Sequence, residues 1–286
     1  MSRLGRQARQ ARQARQARQA RQARQQRAGR VARCVLALLG PWVLAMAPAL
    51  AGNAARASAD GAPPDWPEPV MDDARYAFLL VDQLERRDGD TDRLGWDVLG
   101  WYGGDYRRLW LETEGSAQLG SEAGDLEHFD LLYGRLIAPF WDLQAGLGYE
   151  KAYGAGADPD RAYAVLGLQG LAPGWWEVDA NLRVDEAGEA SVDLELEYDL
   201  RLTQRLILQP RLETRYAFGA SPQFGVGEHL NELVGGLRLR YEIRREFAPY
   251  LGWRWQQRYG QTADLARAAG EAVVTDAVVV GVRLWY

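Results

Sequence analysis

The sequence predicts an all-β fold: an antiparallel transmembrane β-barrel of about twelve strands, preceded by a short disordered N-terminal arm. Three observations lead there. The last nine residues, Val278 to Tyr286, place Val278, Val280, Val282, Leu284 and Tyr286 on one row, with Gly281 and Arg283 on the other. That is the period-2 pattern of a strand with one lipid-facing side. Similar alternation recurs from Tyr76 onward, and the connections between alternating segments come in two kinds, tight and long. Short turns on one side and longer loops on the other are the arrangement of outer-membrane barrels.

Ahead of the barrel, residues 3–30 repeat Arg-Gln-Ala at a three-residue period, a basic low-complexity tract. An apolar run, Val31 to Leu50, and Ala49-Leu50-Ala51 follow. Basic, apolar and small-residue regions in that order predict a secretory signal peptide cleaved after Ala51. A single membrane helix is the alternative, disfavoured by Pro41 within the run. The division expected is therefore 1–51 basic repeat and signal peptide, 52–74 Pro-rich periplasmic arm, and 75–286 barrel. The leader carries eleven of the 34 basic residues and none of the 39 acidic ones, so the remainder has a net charge of −16. That acidity argues against nucleic acid as a partner. The leader also takes Cys34, the one cysteine, so no disulfide framework is expected. Residues 52–74 cluster prolines (Pro63, Pro64, Pro67, Pro69), which disfavour both helix and ladder.

Within the barrel the clearest strands are four. Trp141, Leu143, Ala145, Leu147 and Tyr149 alternate with polar or glycine positions. Trp176, Val178, Ala180, Leu182 and Val184 do the same, as do Val192 to Leu200 and Leu237 to Ile243. Tight connections fall around 103–105, 138–139, 172–174, 202–203 and 244–245. Longer ones fall at 87–93, 115–124, 152–160, 186–188, 219–228 and 260–272. Five tight turns and six loops separate twelve strands, with both ends in the periplasm. Trp101, Phe140, Trp141, Trp175, Trp176, Phe247, Tyr250, Trp285 and Tyr286 gather at the tight-turn end, which predicts an aromatic girdle.

The chemistry-bearing residues are few. Met71 is the one methionine between the leader and the barrel, and His128 and His229 are the only histidines. Glu127-His128 and Glu228-His229 are both predicted near the extracellular end of a strand, where imidazole and carboxylate could meet a divalent ion. The bland alternative is an ordinary rim residue in each case. His128 and Asp130 share a face by spacing, the start of a hydrolase constellation, but no serine is predicted beside them. The lumen row puts Glu177, Asp179, Asp193, Glu195, Glu197 and Asp199 on two adjacent strands. Arg211, Arg215, Arg238, Arg240, Arg254 and Arg258 face them from later ones. Either a cation path or interior ion pairing fits that pattern.

Several long stretches carry a resemblance: 79–85 (LLVDQLE), 100–111 (GWYGGDYRRLWL), 137–146 (IAPFWDLQAG), 167–173 (GLQGLAP), 198–211 (YDLRLTQRLILQPR), 237–250 (LRLRYEIRREFAPY) and 262–271 (TADLARAAGE). Together they resemble the outer-membrane copper resistance protein B family over about residues 70–286. The resemblance implies a non-enzymatic barrel, embedded in outer-membrane lipid, that binds copper ions and sequesters them or passes them across the outer membrane. It also implies a periplasmic multicopper oxidase as partner. Met71, Glu127, His128, Asp130, Glu228 and His229 are the residues of this chain that would meet copper. Members of the family commonly carry a Met- and His-rich stretch before the barrel; here that region is the Pro-rich arm with Met71 alone. A narrow structural or general cation-passing barrel is the alternative.

Overall fold

In the computed structural model, residues 74–154 and 158–286 are described. The expected signal peptide, the expected Pro-rich arm up to residue 73, Cys34 and Met71 lie outside them. Strands β1 (Tyr76–Gly89), β2 (Arg93–Gly103), β3 (Arg107–Gln118), β4 (Gly124–Ala138), β5 (Trp141–Tyr153), β6 (Asp160–Ala172) and β7 (Trp176–Asp185) follow one another as antiparallel neighbours. Next come β8 (Ala190–Tyr198) and β9 (Leu200–Arg201), one crossing interrupted at Asp199, since both pair with β10 (Leu206–Ala217). Then follow β11 (His229–Tyr241), β12 (Phe247–Arg258) and β13 (Val274–Trp285). The sheet closes where β13 pairs antiparallel with β1, Leu80 opposite Trp285 and Asp88 opposite Val278. Twelve crossings result, and closure removes the unpaired edges that lipid cannot satisfy.

The strand residues sort by face as a membrane barrel requires. Leu109, Leu131, Tyr133, Leu143, Leu147, Leu166, Leu237, Leu251, Val278 and Val280 are exposed on the outer wall. Gln83, Glu85, Asp130, Gln144, Arg211, Arg238 and Arg240 are buried inside. A soluble barrel has the opposite sorting. No helix among the described residues is long and apolar enough to cross a membrane. Leu147, 71% exposed in the middle of β5, offers a direct check. Leu147→Arg should lower folding stability in bilayers by about 2–4 kcal/mol, read as a shifted urea midpoint for folding into vesicles. An unchanged midpoint would place that face in water.

Three expectations need correction. The connection expected at 87–93 is only 90–92, because β1 and β2 stay paired out to Arg87 opposite Arg93. The one expected at 115–124 is only 119–123, because β3 stays paired with β2 out to Gln118 opposite Arg93. The last connection, expected as an open loop, instead holds helix α1 (Gly260–Ala269). Its C-terminus is closed by Gly270 at φ 76°, whose N–H donates to the carbonyls of Ala266 and Arg267.

The aromatic girdle is also only partly lipid-facing. Phe140, Trp175, Trp176, Phe247 and Tyr286 are exposed near the tight turns. Trp101 instead lies directly opposite Trp110, whose neighbours on β3, Arg108 and Glu112, line the lumen. Trp101 therefore packs inside, against a cluster of Trp110, Leu132, Tyr163 and Val165. Tyr250, 5% exposed, also turns inward, its hydroxyl donating to Glu85. These rings fill the barrel rather than anchor it.

Candidate functional site

The lumen is held by arginines that reach across it. Arg211 on β10 is the central one. Its guanidinium lies 2.8 Å from Asp97 on β2, 2.7 Å from Glu195 and 3.2 Å from Glu197 on β8, and 2.6 Å from Glu213 on its own strand. Asp82 at 3.8 Å and Glu114 at 3.9 Å complete its surroundings. Arg183 on β7 joins Asp130 on β4 at 2.9 Å and also pairs with Asp193 on β8. Arg238 on β11 donates to Glu85 on β1, which also accepts from Arg87. Three of these contacts, Arg211 with Asp97, Arg183 with Asp130 and Arg238 with Glu85, join strands that are not neighbours in the sheet, so they stiffen the barrel across its width.

Beside Arg211 the lumen opens into a cavity of about 750 Å³. Its wall includes Asp105, Pro139 and Phe140, residues of two tight turns, so it opens at the tight-turn end. In an outer-membrane barrel that is the periplasmic end. The strands present carboxylates to it in pairs: Asp82 and Asp97 from β1 and β2, Glu112 and Glu114 from β3, Glu177 and Asp179 from β7, Glu195 and Glu197 from β8. Asp105 and Asp142 add two more near the mouth, while the cationic side chains are Arg108, Arg211 and Arg283. Arg108 is engaged with Asp142 at 3.1 Å and Arg283 with Asp82 at 2.6 Å. Glu112 is 6% exposed and makes none of the ion pairs that hold Asp82, Asp97, Asp142, Glu195 and Glu197. Its Oε1 lines the cavity and, like Asp82 Oδ1, Asp142 Oδ1 and Glu197 Oε1, has no hydrogen-bond partner. A buried, unpaired carboxylate oxygen beside water-filled space attracts cations.

The sequence-predicted site residues do not converge. A β-bulge sets Glu127 and His128 together opposite Glu150, the register passing from Leu126–Lys151 to Phe129–Tyr149. His128 thereby lines the acidic cavity, and Glu127 lies in the field of Arg87 and Arg254. Asp130 faces the lumen too, but its two oxygens accept from the Tyr163 hydroxyl at 2.7 Å and from Arg183 at 2.9 Å. It clamps strands together rather than orienting His128. His229 sits apart at the start of β11, exposed, with φ 71° and its Nδ1 3.2 Å from the Tyr216 hydroxyl. Glu228 is exposed beside it, its backbone N–H donating to Gln261 Oε1 at the start of α1. Met71 lies outside the described residues. Among the described residues no three His, Cys, Asp or Glu side chains are arranged to hold a metal ion. Two serine hydroxyls are engaged elsewhere: Ser116 accepts from Arg93, and Ser221 donates to Glu189 while accepting from Arg161.

A closed antiparallel barrel with an apolar outer wall and an ion-paired lumen is a transmembrane protein of the bacterial outer membrane. Within that class, the family model described as copper resistance protein B precursor matches residues 75–286. The chain is 40% identical over 219 residues to copper resistance protein B of Escherichia coli, covering 76% of this chain and 72% of that one. It is likewise 40% identical over 219 residues to a copper resistance protein B homolog of Pseudomonas syringae pv. tomato (strain ATCC BAA-871 / DC3000), with the same coverage. The chain belongs to the copper resistance protein B family. Among solved structures it is similar to a KdgM porin, at 10% identity and a TM-score of 0.44 over 73% of this chain and 98% of that one. It is also similar to a NanC porin, at 11% identity and a TM-score of 0.45 over 73% of this chain and 99% of that one.

Proposed function

We propose that this barrel serves copper resistance by taking copper ions into its acidic periplasmic cavity, to hold them or pass them across the outer membrane. The observation that supports this is the cavity itself, with ten carboxylates against three arginines and an unpaired oxygen at Glu112. The donors on its wall are oxygen and imidazole nitrogen, which suit Cu(II); thioether and thiolate donors, which favour Cu(I), are absent from the described residues. His128 is the one imidazole on that wall and the residue predicted from sequence that this reading retains. Glu228 and His229, exposed at the outer end, are left as a separate rim pair. Copper is cargo on this reading, the barrel catalyses no reaction, and a periplasmic multicopper oxidase is the partner implied by the resemblance.

The test is Cu(II) binding to the detergent-solubilised full chain by titration calorimetry. Glu112→Gln with Asp179→Asn should weaken binding about tenfold, each lost carboxylate removing one strong ionic contact, and His128→Ala should weaken it further. His229→Ala should change nothing. Unchanged affinity in the Glu112/Asp179 variant would remove the cavity as the binding place. A second reading has its own support: Arg211 bridging the lumen favours a barrel whose charges serve rigidity. Equal uptake of Cu(II), Zn(II) and Mg(II) into proteoliposomes would favour that general cation-passing barrel.

A further inference from the structure

We propose a binding site for the phosphate headgroup of an anionic phospholipid on the outer wall, made by Arg107 and Arg135. The two arginines are directly opposite each other on β3 and β4. Both are exposed, and both belong to outward-facing rows: Arg107 continues with Leu109, and Arg135 stands between Tyr133 and Ile137, all of them exposed. Side chains so paired have Cβ atoms about 4.5–5.5 Å apart, and like charges there repel. No ion pair with a carboxylate offsets the repulsion at either residue among the described contacts, whereas every cationic side chain in the lumen cavity has one. Two arginines at paired positions with no protein anion can close their guanidinium groups as a fork on the oxygens of one phosphate.

Their position selects the source of that phosphate. Arg107 opens β3 just after the tight turn 104–106, and Arg135 is three residues from the end of β4 at the tight turn 139–140. The pair therefore lies at the periplasmic boundary, where the inner leaflet presents phospholipid headgroups. Toward the bilayer centre the same two rows continue as Leu109 opposite Tyr133 and Leu111 opposite Leu131, an apolar track along which acyl chains can lie. Tyr106, 71% exposed in the turn, adds a phenol at headgroup level. The geometry points to a phosphatidylglycerol-type lipid, because a zwitterionic headgroup brings its own ammonium to compete for the phosphate.

Native mass spectrometry of the full chain, released from micelles containing phosphatidylglycerol and phosphatidylethanolamine in equal amounts, tests this. Wild type should retain phosphatidylglycerol, and Arg107→Gln/Arg135→Gln should lose about tenfold or more of that retention. Arg107→Lys/Arg135→Lys should be intermediate, keeping charge but not the fork. Arg135→Glu gives Arg107 an internal anion, so it should abolish lipid retention while raising the thermal midpoint of folding. Heat-modifiable gel mobility verifies that each variant is folded. Equal retention in the Gln pair would overturn the proposal, as would displacement of phosphatidylglycerol by inorganic phosphate at matched concentration, which would mark a free-anion site.

Discussion

Arg211→Met should destabilise the barrel by about 3–5 kcal/mol, the range for removing one partner of a buried charge cluster. The residue is 4% exposed and lies within 4 Å of six carboxylates on β1, β2, β3, β8 and β10. Methionine fills the volume but leaves those acids facing one another with no cation between them. Their mutual repulsion then acts across a narrow lumen where screening by water and salt is weak. Arg211→Lys should restore part of the loss, since a point charge cannot meet acids on both sides as the planar fork does. Adding Glu195→Gln and Glu213→Gln to Arg211→Met should also recover stability, because it removes the orphaned charges; such non-additivity is the signature of a coupled network. The measurement is the urea midpoint for folding into vesicles. A midpoint within about 0.5 kcal/mol of wild type in Arg211→Met would show that the carboxylates are solvated independently and that Arg211 is not their keystone. The same variant should raise cation conductance in planar bilayers, because the charge that blocks passing cations has gone.

The strand plan is legible in the sequence because each strand must show lipid one row and the lumen the other, which writes a period of two into the sequence. Trp141 to Glu150 and Val278 to Tyr286 show it most clearly. The acidic row on β7 and β8 and the arginines on β10 and β11 are legible for the same reason. Their partners are not. Which carboxylate meets Arg211 depends on how the sheet closes and on its stagger, and Asp97 lies 114 positions away in sequence. Nothing local in either segment records that contact. The histidines mislead for a related reason. Glu127-His128 and Glu228-His229 read alike as dipeptides, but one lies on a bulge that turns it to the cavity and the other begins a strand at positive φ on the exposed rim. The aromatics at the tight-turn end mix two roles that composition does not separate. Trp176 meets lipid while Trp101 and Tyr250 fill the barrel, a difference set by a single residue of register.

Glu85→Ala should rival Arg211→Met in cost, at about 3–5 kcal/mol, and should act at the seam where the barrel closes. Glu85 is fully buried and accepts from Arg87 Nε at 2.8 Å, Arg238 Nε at 3.1 Å and the Tyr250 hydroxyl at 2.9 Å. It thereby links β1 to β11 and β12 over the inner face of β13, the strand between them. The space for this crossing is made by Gly281. A Cβ there would stand 2.5 Å from the Tyr250 ring and 2.8 Å from the Cβ of Glu85. The glycine that interrupts the valine run of the last strand is thus the site over which the seam is tied. Gly281→Val should therefore destabilise the barrel as well, by displacing Tyr250, although it raises the strand's intrinsic β-propensity. Glu85→Gln should cost less than Glu85→Ala, since it keeps an acceptor for Tyr250 while leaving Arg87 and Arg238 short of a negative charge. Folding yields into vesicles, read as the heat-modifiable fraction on gels, should fall in the order wild type, Glu85→Gln, Glu85→Ala. A Glu85→Ala variant that folds as fully as wild type would mean that backbone pairing of β13 with β1 closes the barrel unaided.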